Sequence, residues 1–225
     1  TAAGQTALEL ASQIDAQIHT ASAKISGQDQ RLAGAVRLTS VPMVVNHVLA
    51  PAAGQFSKLY PEIELELYAT GESLDLRQLQ ADIALRLSRP KDPSAVVRKI
   101  ASIGFQVACA RKHVRRATHL QWVAFDHSMD HLPEAQWLNT QCRQQKPLLR
   151  VSSVDAMTQL ALTAPCRVLL PVALVSRHSG LTALSGPEPV VSRDLWMAYM
   201  KDLRRNARIQ AVSRWAVQAC QATDW

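Results

Sequence analysis

The stretch from Gly34 to Leu67, GAVRLTSVPMVVNHVLAPAAGQFSKLYPEIELEL, restricts the possible folds of this chain more than any other. It opens with a short apolar run around Val36 and Leu38 and a turn at Thr39-Ser40-Val41-Pro42. Apolar residues then recur at three- and four-residue intervals (Val44, Val45, Val48, Leu49, Ala52, Ala53, Phe56, Leu59), which predicts a helix with one buried face. Tyr60-Pro61 ends that helix, because a residue before proline is pushed out of the helical region. Ile63-Glu64-Leu65-Glu66-Leu67 alternates and predicts a strand. A strand–helix–strand unit of this length requires a parallel sheet. Its first turn sets backbone N–H groups and the Ser40 hydroxyl at a helix start, a place suited to an anionic group.

With 225 residues the chain can bury one good core or two small ones. It contains no apolar run of the roughly 18 residues a membrane span needs, so no membrane partner is expected. The first residues, from Thr1, lack the basic and apolar regions of a signal peptide, and the expectation is of a chain cut from a longer one. Cys109, Cys142, Cys166 and Cys220 show no CxxC or zinc spacing; reduced, mostly buried thiols in a cytoplasmic protein are expected. The net charge of +7 is unevenly placed: residues 1–92 hold 8 Lys/Arg against 10 Asp/Glu, residues 93–225 hold 17 against 8. The excess collects at 111–116 (RKHVRR) and 201–208 (KDLRRNAR). Such clusters suit nucleic acid or an acidic partner, or form a solvated loop and helix start; the absence of interleaved aromatics favours the second reading.

Nearer the start, Gly4, Ala7, Ala11, Ile14, Ile18, Ala21 and Ile25 form a heptad seam, predicting a helix about 35 Å long that pairs with another chain or strap, the alternative being a frayed leader that packs on its own domain. Gly27 is suited to cap its end. A turn at Thr70-Gly71-Glu72-Ser73 leads to a short helix through Leu74, Leu76 and Leu79, then to a buried strand over 81–87. Residues 96–110 predict a long strand leaving one domain and entering another. A second α/β pattern follows: a short helix over 112–118, strands over 121–125, 148–152 and 167–170, and helices over 133–145 and 153–163. Residues 180–189, with two glycines and two prolines, predict loop; 194–200 a strand; 205–222 a final amphipathic helix.

Motifs for catalysis are missing. There is no G-x-S-x-G elbow, no G-x-G-x-x-G and no P-loop. The segment Asp126-His127-Ser128-Met129-Asp130-His131 has metal-ligating residue types without helix spacing or a further ligand pair, so a polar loop is expected. No enzyme activity, metal or cofactor is expected.

The order of GAVRLTS, FSKLYPEIELEL, TGES, ADIALRLSRP, VVRKIASIGFQVACA and WMAYMKDLRRNARIQAVSRWAV resembles the linker helix and effector-binding region of LysR-type transcriptional regulators over almost the whole chain. The resemblance implies an α/β fold: two Rossmann-like subdomains of periplasmic-binding-protein type II architecture, joined by two crossover strands and preceded by a long linker helix. By position, 1–30 would be the linker helix, 32–109 with 202–225 the first subdomain, and 110–201 the second. A small, acidic effector would bind in the cleft between them, lined by Thr39, Ser40, Val41, Gly71, Glu72, Arg86, His127, Ser128, Ser152 and Ser153, with Arg86 as a bidentate partner. The chain would act as a homodimer or homotetramer, reaching DNA only through a helix-turn-helix that it does not contain. A free-standing solute-binding protein on the same scaffold is the alternative. One departure stands out. Where the family usually has a G-x-G turn, this chain reads Ala164-Pro165-Cys166, followed by Arg167 in an apolar position.

Overall fold

The computed structural model describes residues 5, 10–15, 17, 31–71, 81–143 and 145–225. The short helix expected through Leu74, Leu76 and Leu79 lies outside these residues, as does Glu72. Of the expected leader helix, Leu10–Asp15 are described and helical; of its seam, Ala11 and Ile14 are described and both are exposed. The chain divides into two compact units, the first 1–100 with 195–222, the second 101–194 with 223–225.

In the first unit, β1 (Gly34–Ser40), β2 (Ile63–Ala69) and β3 (Ile83–Arg86) are joined by β9 (Val191–Met200) and β4 (Ala95–Ala110), in the order β2-β1-β3-β9-β4. β1 is parallel to both β2 and β3, with Ser40 opposite Ala69 and Thr39 opposite Ala84; β9 runs antiparallel to β3. The helix α1 between β1 and β2 runs α-helical over Pro42–Val44, widens to a π-turn over Val45–Leu49, and returns to α-helical over Ala50–Leu59. Its buried residues are Met43, Val44, Val45, Val48, Leu49 and Phe56. Leu59, counted in the apolar stripe, is 73% exposed: the buried face ends at Phe56, which packs on Tyr60 and Trp215 at 5.0 Å. The last helix, α5 (Ala207–Gln221), is capped by Asn206, whose side chain accepts from the Arg208 and Ile209 N–H groups. It buries Ile209, Val212, Ala216 and Cys220, the three- and four-residue stripe of an amphipathic helix. Gly34, at φ 98°, adopts the left-handed conformation that favours glycine.

In the second unit β4 pairs antiparallel with β7 (Cys166–Pro171), which lies parallel to β5 (Gln121–Phe125), itself parallel to β6 (Leu149–Val151). Helices α2 (Pro133–Gln141), α3 (Val154–Thr163) and α4 (Val172–Arg177) complete it. The expected helix over 112–118 is a 3-10 helix, Arg111–His119. The segment 180–189 is not all loop: β8 (Leu181–Ala183) pairs with the end of β4. Gly104 in β4 is required by close approach, since a Cβ there would stand 2.6 Å from the Pro189 Cγ. The substituted turn also resolves. Ala164 is extended (φ −111°, ψ 154°), so no glycine is needed. Arg167 lies over the Trp122 ring at 4.4 Å and donates from Nε to the Leu120 carbonyl at 2.9 Å, a cation–π stack that ties β7 to β5.

Candidate functional site

Parallel strands place their carboxyl ends on one side, and ligands of open α/β sheets sit there. In the first unit those ends carry Ser40 on β1, Ala69 on β2 and Arg86 on β3. Arg86 is only 7% exposed, and Thr39 and Ser40 are fully buried. The guanidinium donates from one Nη to the Thr39 Oγ1 at 3.0 Å and from the other to the Leu85 carbonyl at 2.9 Å. Burial pushes its pKa below the usual arginine value. Ser40 Oγ is shielded from solvent and has no hydrogen-bond partner. A buried hydroxyl in that state costs about 1–3 kcal/mol, so it is either strain or an acceptor site held ready. The Thr70 N–H donates to the Ser40 carbonyl at 2.9 Å, which carries the β1–β2 ladder up to Gly71.

The helix start itself offers less than its sequence suggested. Val41 is extended, Pro42 has no N–H, and the N–H groups of Val44 and Val45 already donate to the Val41 carbonyl at 3.0 and 3.2 Å. In this unit a buried guanidinium bonded to the Thr39 hydroxyl dominates.

The second unit presents another set at the ends of β5 and β6, where Phe125 faces Val151 and the Asp126 N–H donates to the Val151 carbonyl at 2.9 Å. His127 and Ser128 form part of a short 3-10 helix, His127–Met129, capped by the Asp126 carboxylate, which accepts from the Ser128 N–H at 3.0 Å. That bond holds the Asp126 carboxyl below the usual carboxylate range. His127 Nδ1 lies 3.0 Å from Asp130, whose other oxygen accepts from Asn139 at 2.8 Å. Bonds to His127 and Asn139 likewise lower the Asp130 carboxyl. His131 Nδ1 meets the Ser128 carbonyl at 3.0 Å, and among the described residues no group of three or more His, Cys, Asp or Glu gathers around a common point. Ser153 caps α3, accepting from the Ala156 N–H at 3.3 Å; Ser152 is exposed. Arg150, overlooked in the sequence, donates to the Phe125 carbonyl at 2.8 Å; its signal was its place in the strand two residues before the Ser152-Ser153 pair.

A mixed α/β sheet with polar residues at the carboxyl ends of its parallel strands is an architecture on which ligand sites are commonly built. The chain belongs to the LysR substrate binding domain family, whose model matches residues 29–221. It is 23% identical over 179 residues to the Mau operon transcriptional activator of Paracoccus denitrificans, a match covering 80% of this chain and 62% of that protein. It is 30% identical over 83 residues to the HTH-type transcriptional regulator CrgA of Neisseria meningitidis serogroup C, covering 37% of this chain and 28% of that one. Among solved structures, the LysR-type regulator CrgA of Neisseria meningitidis superposes with a TM-score of 0.68 at 22% identity, over 97% of this chain and 79% of that one. The reduced OxyR regulatory domain of a Pseudomonas species superposes with a TM-score of 0.66 at 14% identity, over 83% and 98%. This chain thus spans about 62% of the first of these regulators, and far less of the second is matched.

Proposed function

We propose that this chain is the effector-sensing part of a LysR-type transcriptional regulator and that its effector is a small organic acid anchored by Arg86, Thr39 and Ser40. The observation that carries the reading is the buried Arg86 guanidinium bonded to Thr39 Oγ1 at the carboxyl ends of β3 and β1, with the unpartnered Ser40 hydroxyl at the next position along β1. A carboxylate reaching this cluster gains charge-assisted hydrogen bonds of about 1.5–3 kcal/mol each. Val41 and Gly71 follow that set in sequence; His127, Ser128, Ser152 and Ser153, at strand ends of the second unit, belong to the proposed set by sequence alone. Glu72, next to Gly71, belongs to the same proposed set by sequence.

The whole regulator would read DNA through a helix-turn-helix outside this chain, act in the cytoplasm and have no enzymatic activity. It would assemble as a homodimer or homotetramer, and effector binding would shift its population between states of different DNA affinity. The exposed Ala11 and Ile14 of the leader helix support pairing through that seam.

The test is thermal denaturation of this chain against a panel of small mono- and dicarboxylic acids. A ligand present at 100 times its Kd stabilises by about 2.7 kcal/mol, well within reach of the method. The reading predicts that at least one acid raises the midpoint and that Arg86→Ala removes the shift. No shift with any acid, or an unchanged shift in the variant, would count against it.

A further inference from the structure

A cavity lies wholly within the first unit, and neither Arg86 nor Thr39 lines it. It is a groove of about 660 Å³ between the β4 and β9 strands on one side and α5 on the other. Its strand wall is Val96 and Arg98 on β4 with Met197 and Tyr199 on β9, in each case two residues apart and so on one strand face. Its helix wall is Gln210, Ser213, Arg214, Val217 and Gln218, the i, i+3, i+4, i+7, i+8 spacing of a single helical face. Arg204 and Arg205, from the 3-10 helix Lys201–Arg205, close one end.

Four guanidiniums thus line one groove, and among the described residues no carboxylate does. All four arginines are exposed, and among the described residues none makes an ion pair. Like charges lining one groove without a counter-charge favour the arrival of an anion. A second, independent feature is on the helix wall. Ser213 is 8% exposed, and its Oγ has no hydrogen-bond partner. A serine inside a helix ordinarily reaches its own backbone or water, so this hydroxyl is a donor and acceptor left over beside the arginines.

We propose that this groove is a second binding site, for a small organic polyanion: two or more phosphate or carboxylate groups on an apolar or aromatic body. The arginines hold the acidic groups, with the planar, bidentate geometry that suits both phosphate and carboxylate. Val96, Met197, Tyr199 and Val217 supply an apolar wall that inorganic phosphate would leave unfilled. The site is separate from the Arg86 cluster, so the two can be occupied together and couple through the first unit.

Isothermal titration of this chain with ATP, citrate and inorganic phosphate tests it. ATP and citrate distinguish phosphate from carboxylate as the acidic group; inorganic phosphate reports charge alone. Saturable binding of ATP or citrate, at least 10-fold tighter than inorganic phosphate and weakening with added salt, is expected. The double variant Arg98→Ala/Arg214→Ala should lose at least 10-fold. Arg98→Lys/Arg214→Lys should recover only part, because lysine lacks the bidentate fork. Arg86→Ala, and Arg111→Ala/Arg115→Ala in the other basic segment, should leave the affinity within 2-fold. The substituted arginines are exposed, so thermal melts should stay at wild type. No saturation by either organic probe below about 1 mM would overturn the proposal. So would equal affinity for inorganic phosphate, or binding that Arg98→Ala/Arg214→Ala leaves intact.

Discussion

The two units offer their strand-end polar groups in opposite states. In the first, Thr39, Ser40 and Arg86 are buried, one is charged, and one hydroxyl has no partner. In the second, His127, Ser128 and Ser153 are held by local hydrogen bonds and lie nearer to water. The same topology, polar residues following parallel strands, yields a reactive set on one side and a satisfied set on the other. The difference lies in where each group finds its partner. Capping and Asx-type bonds reach two or three residues along the chain, whereas Thr39 and Arg86 meet across 47 positions. A set satisfied locally adds to stability; a set left under-satisfied in the interior costs stability until it gains a partner.

The largest way to break this contrast is Arg86→Ala. It should weaken organic-acid binding about 10–100-fold, the equivalent of one charged hydrogen bond of roughly 1.5–3 kcal/mol, measured by titration calorimetry. Ser40→Ala should cost about 5–10-fold in affinity yet leave the urea midpoint unchanged or slightly raised, since it deletes a hydroxyl that has no partner in the protein. A fall in stability instead would make Ser40 a structural group. Ser153→Ala should behave the other way: about 1 kcal/mol lost in urea denaturation through the missing cap, and less than 3-fold in binding. The smallest effect concerns Asp126 and Asp130, whose folded pKa values are lowered. The stability they contribute is present above the ordinary carboxylate pKa and is lost as pH falls through the lower folded values. Carboxyl titration by NMR should place both midpoints below the model-peptide value of about 3.9.

What was legible in the chain follows the same division. β1, α1 and β2 could be read because alternation and helical spacing are local, and Ser153 could be placed as a cap because it immediately precedes an apolar run. Asn206, also a cap, was passed over because the basic segment around it reads as continuous helix. β8 could not be read: three residues between Gly180 and Gly186 carry too little pattern, and its strand character comes from β4, about 70 positions earlier. Arg167 looked like an intruder in an apolar position until Trp122, 45 residues before it, supplied the ring it stacks on. At the candidate site, residue types at strand ends were readable, but their burial and pairing were not. The groove on α5 carries a regular helical spacing, though its arginines look like ordinary solvated charge until β4 is set opposite.

The π-turn in α1 has a consequence for how this gene tolerates change in length. The Ala50 N–H reaches the Val45 carbonyl, one residue farther than an α-turn, so the helix holds one residue beyond what its two flanking stretches need. Deleting a single codon within 45–49 would close the ring to an α-turn and leave Phe56 facing the core in its present phase. The same deletion within 50–55 would rotate Phe56 by about 100° out of its place between Tyr60 and Trp215. One helix therefore contains both a tolerant stretch and an intolerant one, a few residues apart, in a segment where hydrophobicity alone makes them look alike.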